Sequence, residues 1–292
     1  MQNCLRTHVS AQKIDGRSIA QSILDDVRRG VSSLSERGVF PHLAVVIAGE
    51  DPASKIYVRN KERACRTCGI LSTRIDLPSN SSLEDILGIV EGLNNDSGIH
   101  GILVQSPAPQ GVDELEIASH ILPSKDVDGF HPHNLGRLVQ GDSSGLLPCT
   151  PSGVMRLLKK SGANLNGSKA VVLGRSRIVG MPLSLMLAQK GVDSTVTIAH
   201  SRSVGIREIC KEADVLVAAV GIPNFVEKSW VKRGAVVIDV GISRVEDGLA
   251  GDVSEDVSEV AGWITPVPGG VGPMTIAMLM SNTLMAAESM NP

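Results

Sequence analysis

Aromatic side chains are nearly absent. The 292 residues include one tyrosine, two tryptophans and three phenylalanines. That scarcity removes the stacking platforms that hold single-stranded nucleic acid, and it leaves the interior to aliphatics. An excess of either charge is missing too. With 28 basic and 31 acidic side chains the formal charge is −3, so there is no electrostatic footprint for nucleic acid or for an anionic membrane. No apolar run is long enough to span a bilayer. Neither nucleic acid nor membrane is expected as a partner. Cysteine is sparse and scattered: Cys4, Cys65, Cys68, Cys149 and Cys210 form an odd set. This argues for reduced thiols and a cytoplasmic setting, not a disulfide framework. The opening MQNCLRTHVSAQ lacks acids and carries one arginine. It is weakly like a transit peptide but short and barely amphipathic, and a disordered N-terminus is the expectation.

Two short patterns invite a metal or redox reading. Cys65 and Cys68 make a C-x-x-C, but it lies in an apparent helix and has no second copy, so both are read as structural thiols. The HPH at 131–133 lacks a nearby acidic or cysteine cluster. It is read as a loop with two polar rings, and no metal site is expected.

What the chain does have is alternation. A helical stripe of Ile19, Ile23, Val27, Val31 and Leu34 is bracketed by Asp15 as cap and Gly38 as terminator. LAVVIAG reads as a buried strand, followed by a helix closing near Gly69, the strand STRIDLP, a helix capped by Ser81 or Ser82, and the strand GILVQ. Short apolar strands between helices predict a parallel sheet covered on both faces. Thr150 is placed to cap a helix with Pro151 at its first position. KAVVLG, STVTIAH, ADVLVAAVG and GAVVIDVG then supply the strands of a dinucleotide-binding fold, and a long apolar-faced helix ends the chain.

The second series carries a candidate cofactor loop. VVLGRSRIVGMP follows a strand and opens a helix, with Gly174 and Gly180 flanking Arg175, Ser176, Arg177, Ile178 and Val179. The middle glycine of G-x-G-x-x-G is replaced by Ser176, which weakens the motif, but amides at such a helix start can hold a diphosphate. The acid that grips a ribose 2′-hydroxyl belongs at the end of the next strand. That strand is followed by His200, Ser201 and Arg202. With Arg175 and Arg177 this corner is positive and suits a 2′-phosphate, so NADP is favoured over NAD; solvated arginines on a turn are the alternative.

Two further loops hold more glycine and proline than a turn needs. KDVDGFHPHN sets Asp126 and Asp128 around a turn, and ITPVPGGVGPMT packs Pro266, Pro268, Gly269, Gly270, Gly272 and Pro273 into eight positions. Such loops let a ligand approach the backbone closely while staying rigid. The only tyrosine, Tyr57, lies four residues before Lys61, on one helix face. Alone, that spacing reads first as a surface helix with a half-buried ring beside a solvated amine, and only second as a site.

Taken together, SKIYVRNK, GILVQ, KDVDGFHP, PCTP, GRSRIVGMP, HSR and TPVPGGVGPMT resemble, in order and spacing, the bifunctional methylenetetrahydrofolate dehydrogenase/methenyltetrahydrofolate cyclohydrolase family. The likeness runs from Ile14 to the final helix. It implies an α/β protein with two domains around a cleft. A folate-binding catalytic domain would span 1–149, completed by a C-terminal helix at 273–292, and an NADP-binding Rossmann-type domain would span 150–272. A homodimer is implied, as is a place in one-carbon metabolism feeding purine biosynthesis. The implied reactions are oxidation of 5,10-methylenetetrahydrofolate by NADP⁺ and hydrolysis of the methenyl product to 10-formyltetrahydrofolate.

The resemblance also assigns residues. Lys61 is the main group of the hydrolytic step, Gln105 orients it, Tyr57 packs along the folate rings, and Asp128 accepts from the amino-pyrimidinone edge. Ser54 supports the tyrosine–lysine helix, while Pro268, Gly269, Gly270 and Val271 help hold the ligands. Gly174, Arg175, Ser176, Ile178, Val179, Gly180, His200, Ser201, Arg202, Gly241 and Ile242 are implied for the cofactor. One departure stands out: where the family usually reads VQLPLP, this chain has VQSPAPQG, with Ser106 and Ala108. That leaves either a roomier pocket or a neighbour that fills it. Two other readings compete: an NADP oxidoreductase of the shikimate dehydrogenase kind, and a folate- or nucleotide-binding protein without activity.

Overall fold

The computed structural model describes residues 10–49, 52–142, 144–246 and 248–291, without the side chains of 52–55. Along the chain come β1 (Gln12–Lys13), α1 (Gly16–Glu36), β2 (His42–Ala48), α2 (Pro52–Cys68), β3 (Leu71–Leu77), α3 (Leu83–Asn95) and β4 (Gly101–Gln105). Next are α4 (Glu114–His120), α5 (Pro132–Gln140), α6 (Cys149–Ser161), β5 (Lys169–Leu173), α7 (Gly180–Ala188), β6 (Thr195–Ala199), α8 (Ile206–Lys211) and β7 (Val215–Ala218). The series ends with β8 (Val236–Asp239), β9 (Ser243–Val245), β10 (Gly248–Ala250), β11 (Trp263–Ile264) and α9 (Val271–Met290). No helix among the described residues is long and apolar enough to cross a membrane.

Contacts divide the described residues into two compact units, one drawn from 18–153 with 274–291, the other from 10–17 with 154–273. The first unit holds a parallel three-stranded sheet in the order β3-β2-β4. Its centre, β2, is buried along nearly its whole length, as expected for an apolar strand covered on both faces. One face packs α1, α2 and α9 through Val27, Val31, Val58, Leu279 and Met280; the other packs α3 and α4 through Ile86, Val90 and Ile117. The α3 start has a complete capping box, Ser82 with Asp85, which selects Ser82 over Ser81. At α1, the Arg17 amide donates to Asp15, as expected of a cap.

The second unit holds a six-stranded parallel sheet in the order β1-β11-β8-β7-β5-β6. Strand β5 lies between β6 and β7, so strand order reverses there, at the switch point of a doubly wound fold. Residues 10–17 belong to this unit because β1 adds to β11 at its edge. A first domain counted from residue 1 does not anticipate this, since a two-residue strand carries no periodic signal.

Two local expectations change. Helix α6 starts at Cys149, before Thr150, and the Thr150 hydroxyl meets that of Thr275 at 2.9 Å instead of serving as the N-cap. The HPH segment is not a loop. His131 caps α5, its Nδ1 accepting from the His133 amide at 2.9 Å, and Pro132 takes the first helical position.

Candidate active site

In the first unit the candidate residues gather at the C-terminal end of the sheet. Helix α2 carries Tyr57, 41 % exposed, and one turn later the half-buried Lys61. Ser54 lies on the same helix, but its side chain is outside the described residues. At the end of β4, Gln105 accepts from Lys61 Nζ through Oε1 at 2.9 Å. The other end of that amide donates to the Ser106 carbonyl at 2.7 Å, which fixes which side of Gln105 faces the lysine. Burial lowers the proton affinity of Lys61, partly offset by the Asp128 carboxylate beside it. Burial likewise pushes Asp128 up to about 6, against the pull of Lys61 and with the push of Asp126. Lysine and carboxyl are thus drawn toward each other in proton affinity, which is the setting for proton transfer near neutral pH.

The loop bearing Asp128 is held on three sides. Lys125 is buried, and its ammonium donates to the carbonyls of Leu93, Asn94 and Asp96 at 2.7–2.9 Å, closing the end of α3. Asp126 accepts from the amides of Phe130 and His131 and from Asn134 Nδ2, tying the loop to α5. The Val127 carbonyl accepts from Asn282 Nδ2 at 2.8 Å and from the Cys149 thiol at 3.2 Å. Asp128 is the acid left facing Lys61. Sequence reasoning missed Lys125, Asn134 and Asn282. The polar run Ser281–Asn282–Thr283 within the largely apolar α9 was the available signal for the last of these.

The VQSPAPQG departure has a local partner. The Glu114 carboxylate, in the first turn of α4, accepts from the Ser106 hydroxyl and from the Ala108 amide, the latter at 3.0 Å. Ala108 packs against the α3–α4 core, while Ser106 is exposed. A hydrogen-bonded turn stands where leucine side chains are usual. Cys65 and Cys68 are buried, and burial pushes their thiols up to about 12 and about 11, so neither is a thiolate at neutral pH.

The second unit presents the loop between β5 and α7. Gly174 has φ +111°, and a Cβ there would overlap the Ala219 carbonyl, so only glycine fits this turn. Ser176 Oγ accepts from the Val179 and Gly180 amides at 3.2 and 3.4 Å, bracing the start of α7. Arg175, Arg177 and Ile178 are exposed. At the end of β6 the His200 amide donates to Ser203 Oγ, and His200 Nδ1 accepts from the Arg202 amide at 3.2 Å. Ser201 and Arg202 are exposed in this turn. Gly241 and Ile242 follow β8, with Ile242 46 % exposed. Pro268, Gly269 and Gly270 form the loop into α9, whose first residue is Val271. The loop order after β5, β6 and β8 fits a dinucleotide laid along the sheet's C-terminal edge.

Two family descriptions match this chain: the tetrahydrofolate dehydrogenase/cyclohydrolase catalytic domain over residues 14–128, and the NAD(P)-binding domain of the same enzymes over residues 148–291. The chain belongs to the tetrahydrofolate dehydrogenase/cyclohydrolase family. It is 54 % identical to the bifunctional protein FolD of Magnetococcus marinus, over 95 % of this chain and 98 % of that one. Among solved structures, the bifunctional FolD methylenetetrahydrofolate dehydrogenase/cyclohydrolase of Campylobacter jejuni superposes with a TM-score of 0.93 at 42 % identity, covering 96 % of this chain and 99 % of that one. The Trypanosoma brucei dehydrogenase-cyclohydrolase, solved with NADP cofactor and an inhibitor, gives 0.90 at 40 % identity, over 96 % and 98 %. The family match leaves the shikimate-type and non-catalytic alternatives unsupported.

Proposed function

We infer that this protein oxidises 5,10-methylenetetrahydrofolate with NADP⁺ and hydrolyses the resulting methenyl cation to 10-formyltetrahydrofolate. The observation that carries the reading is the Lys61–Gln105 hydrogen bond beside Asp128, in a chain both of whose units match the family. In hydrolysis, water attacks the methenyl carbon and loses a proton as the C–O bond forms. The hydroxyl proton of the resulting adduct then passes to solvent as the C=O bond forms and the carbon–nitrogen bond to one ring nitrogen breaks, and that nitrogen takes the proton first removed from the water. Lys61, its proton affinity lowered by burial, manages both transfers, and Gln105 keeps Nζ aimed. Asp128 accepts from the amino-pyrimidinone edge of the pterin, and Tyr57 packs along its rings. Ser54 supports their helix, and the 268–271 segment helps hold the ligands. Hydride transfer to the nicotinamide asks for alignment more than acid–base help.

NADP⁺ is the cofactor, bound by Gly174, Ser176 and the start of α7 at the diphosphate, by Arg175, Ser201 and Arg202 at the 2′-phosphate, and along Ile178, Val179, His200, Gly241 and Ile242. The protein works as a homodimer in the cytoplasm. The test is turnover with methylenetetrahydrofolate and NADP⁺ or NAD⁺, following NADPH and methenyl absorbance separately. Equal KM values for the two cofactors would reject the NADP assignment. No consumption of methenyltetrahydrofolate would reject the hydrolase.

A further inference from the structure

Two carboxylates are buried beneath the C-terminal edge of the second unit's sheet, and neither belongs to the catalytic apparatus described above. Asp239 closes β8 and is 4 % exposed; Asp252 follows the β9–β10 hairpin and is fully buried. Every hydrogen bond they accept among the described residues comes from loop backbone. Asp239 takes the amides of Gly241 and Asp252 on Oδ1 at 3.0 and 2.9 Å, and that of Val253 on Oδ2 at 3.0 Å. Asp252 takes the amides of Val220 and Gly221 on Oδ2 at 2.6 and 3.0 Å. The loop after β7, the loop after β8 and the segment returning from the hairpin are therefore fastened to one pair of acids. The fit is close: a Cβ on Gly241 would overlap the Asp252 carboxylate, and one on Gly251 would overlap that of Asp239.

The pair is a poor device for stability alone. Like charges at short range in a dry interior oppose each other, and burial together with Asp252 pushes Asp239 up to about 6 in spite of its three amides. Asp252 Oδ1 is buried with no hydrogen-bond partner among the described residues. Apolar residues would fill the same space at lower cost. What such residues could not do is hold amides from three separate loops in fixed directions.

Those loops have a place in the cofactor path. The sheet's switch point lies between β5 and β7, with the diphosphate loop after β5 and the 2′-phosphate corner after β6. The remaining half of a dinucleotide then runs toward the ends of β7 and β8, where Val220, Gly221, Gly241 and the exposed Ile242 lie. We propose that Asp239 and Asp252 are positioning residues that shape the nicotinamide half of the cofactor site by clamping the 219–221 and 240–242 backbone. The proposal rests on the NADP reading above. It separates binding of the two halves of the cofactor: the adenosine half keeps its own contacts, and the nicotinamide half depends on the clamp.

The experiment compares binding of NADP⁺ and of 2′,5′-ADP, which lacks the nicotinamide half, to the parent protein, Asp252→Asn and Asp252→Ala. Binding of NADP⁺ by the parent tests the cofactor assignment first and independently. Asn keeps an oxygen for the Val220 and Gly221 amides but not the charge, whereas Ala removes both. The expected result is NADP⁺ affinity weakened at least threefold in Asp252→Asn and at least tenfold in Asp252→Ala, with 2′,5′-ADP affinity unchanged. Hydrolysis of methenyltetrahydrofolate without cofactor should also stay at the parental rate. If Asp252→Ala does not fold, Asp252→Asn decides alone, and retained 2′,5′-ADP binding certifies its nucleotide unit. Parental NADP⁺ affinity in Asp252→Asn overturns the proposal. So does an equal loss for both ligands, which would mark the pair as a structural brace.

Discussion

The catalytic unit and the nucleotide unit place their charges in opposite ways. Around Lys61 the ionisable groups are half-buried or buried, and burial shifts Lys61 down and Asp128 up. Around Gly174 the arginines stand in the open, on turns braced by Ser176 and by the Ser203–His200 hydrogen bonds. A group that moves protons has to be partly removed from water, because burial is what brings a lysine toward neutrality. A group that recognises a phosphate keeps its charge whatever the surroundings, and arginine does so best where its fork is free to reach the ligand.

Lys61→Met puts that contrast to its hardest test. It keeps most of the stem and removes the amine. Hydrolysis of methenyltetrahydrofolate should fall by about 100- to 10,000-fold, the usual worth of a general acid–base group. More of the NADP⁺-dependent oxidation should survive, since it depends on alignment. Near-parental hydrolysis would reduce the lysine to a charge on a helix. Arg175→Ala, on the other side of the comparison, should raise the KM for NADP⁺ by about tenfold or more and leave NAD⁺ largely unaffected, because a charge-assisted contact to phosphate contributes roughly 1.5–3 kcal/mol. A matching loss for NAD⁺ would show that Arg175 does not read the 2′-phosphate.

Asp128→Asn sharpens the point about burial, because stability and binding should move in opposite directions. A carboxyl with a raised folded-state pKa binds its proton more tightly in the folded than in the unfolded chain. Its contribution is favourable at low pH and is lost as pH rises from about 4 to about 6. At pH 7 the asparagine variant should therefore melt higher, by about 1 kcal/mol of stability after allowance for partial exposure. The folate KM should rise severalfold in both reactions, read by thermal denaturation beside steady-state kinetics. A lower melting temperature with unchanged folate KM would make Asp128 a turn residue only. The smallest effect is expected at Ser106→Leu, which restores the residue usual in the family and breaks the hydroxyl contact to Glu114. A change of about two- to threefold in folate KM, with kcat retained, fits the loss of one exposed hydrogen bond. A large fall in kcat would instead show that Glu114 governs the Gln105 turn.

The main elements were legible because buried parallel strands are apolar runs and the helices between them carry stripes. Ser82 and Asp85 spelled out a helix start, and the Tyr57–Lys61 spacing put two candidate residues on one face of α2. What stayed hidden had no period to show. Strands β1 and β11 are two residues each, and they recruit residues 10–17 to the nucleotide unit. Helix α5 hid behind a histidine, an unusual cap, although Pro132 after it was a fair sign of a first turn. In the candidate site, motif residues could be named one at a time. The hydrogen bonds from Lys125 to the end of α3, and from Asn282 to the Val127 carbonyl, join segments far apart in the chain and follow from the fold alone.

Asn282 sits on α9, and α9 belongs with residues 18–153 although all of the nucleotide unit except its β1 segment is made in between. A ribosome adding about 5–20 residues per second needs on the order of ten seconds to cross that insertion. Throughout that time the first sheet lacks Met278, Leu279 and Met280 from its core, and the Val127 carbonyl lacks its Asn282 donor. The nucleotide sheet is itself incomplete at its edge until Trp263 and Ile264 arrive to pair with β8 and receive β1. The nascent chain therefore carries an uncovered core face on one unit until α9 is made, and an unfinished sheet edge on the other until β11 is made. Completion of α9 marks the moment at which the Asp128 loop, already tied by Lys125 and Asp126, gains its third anchor.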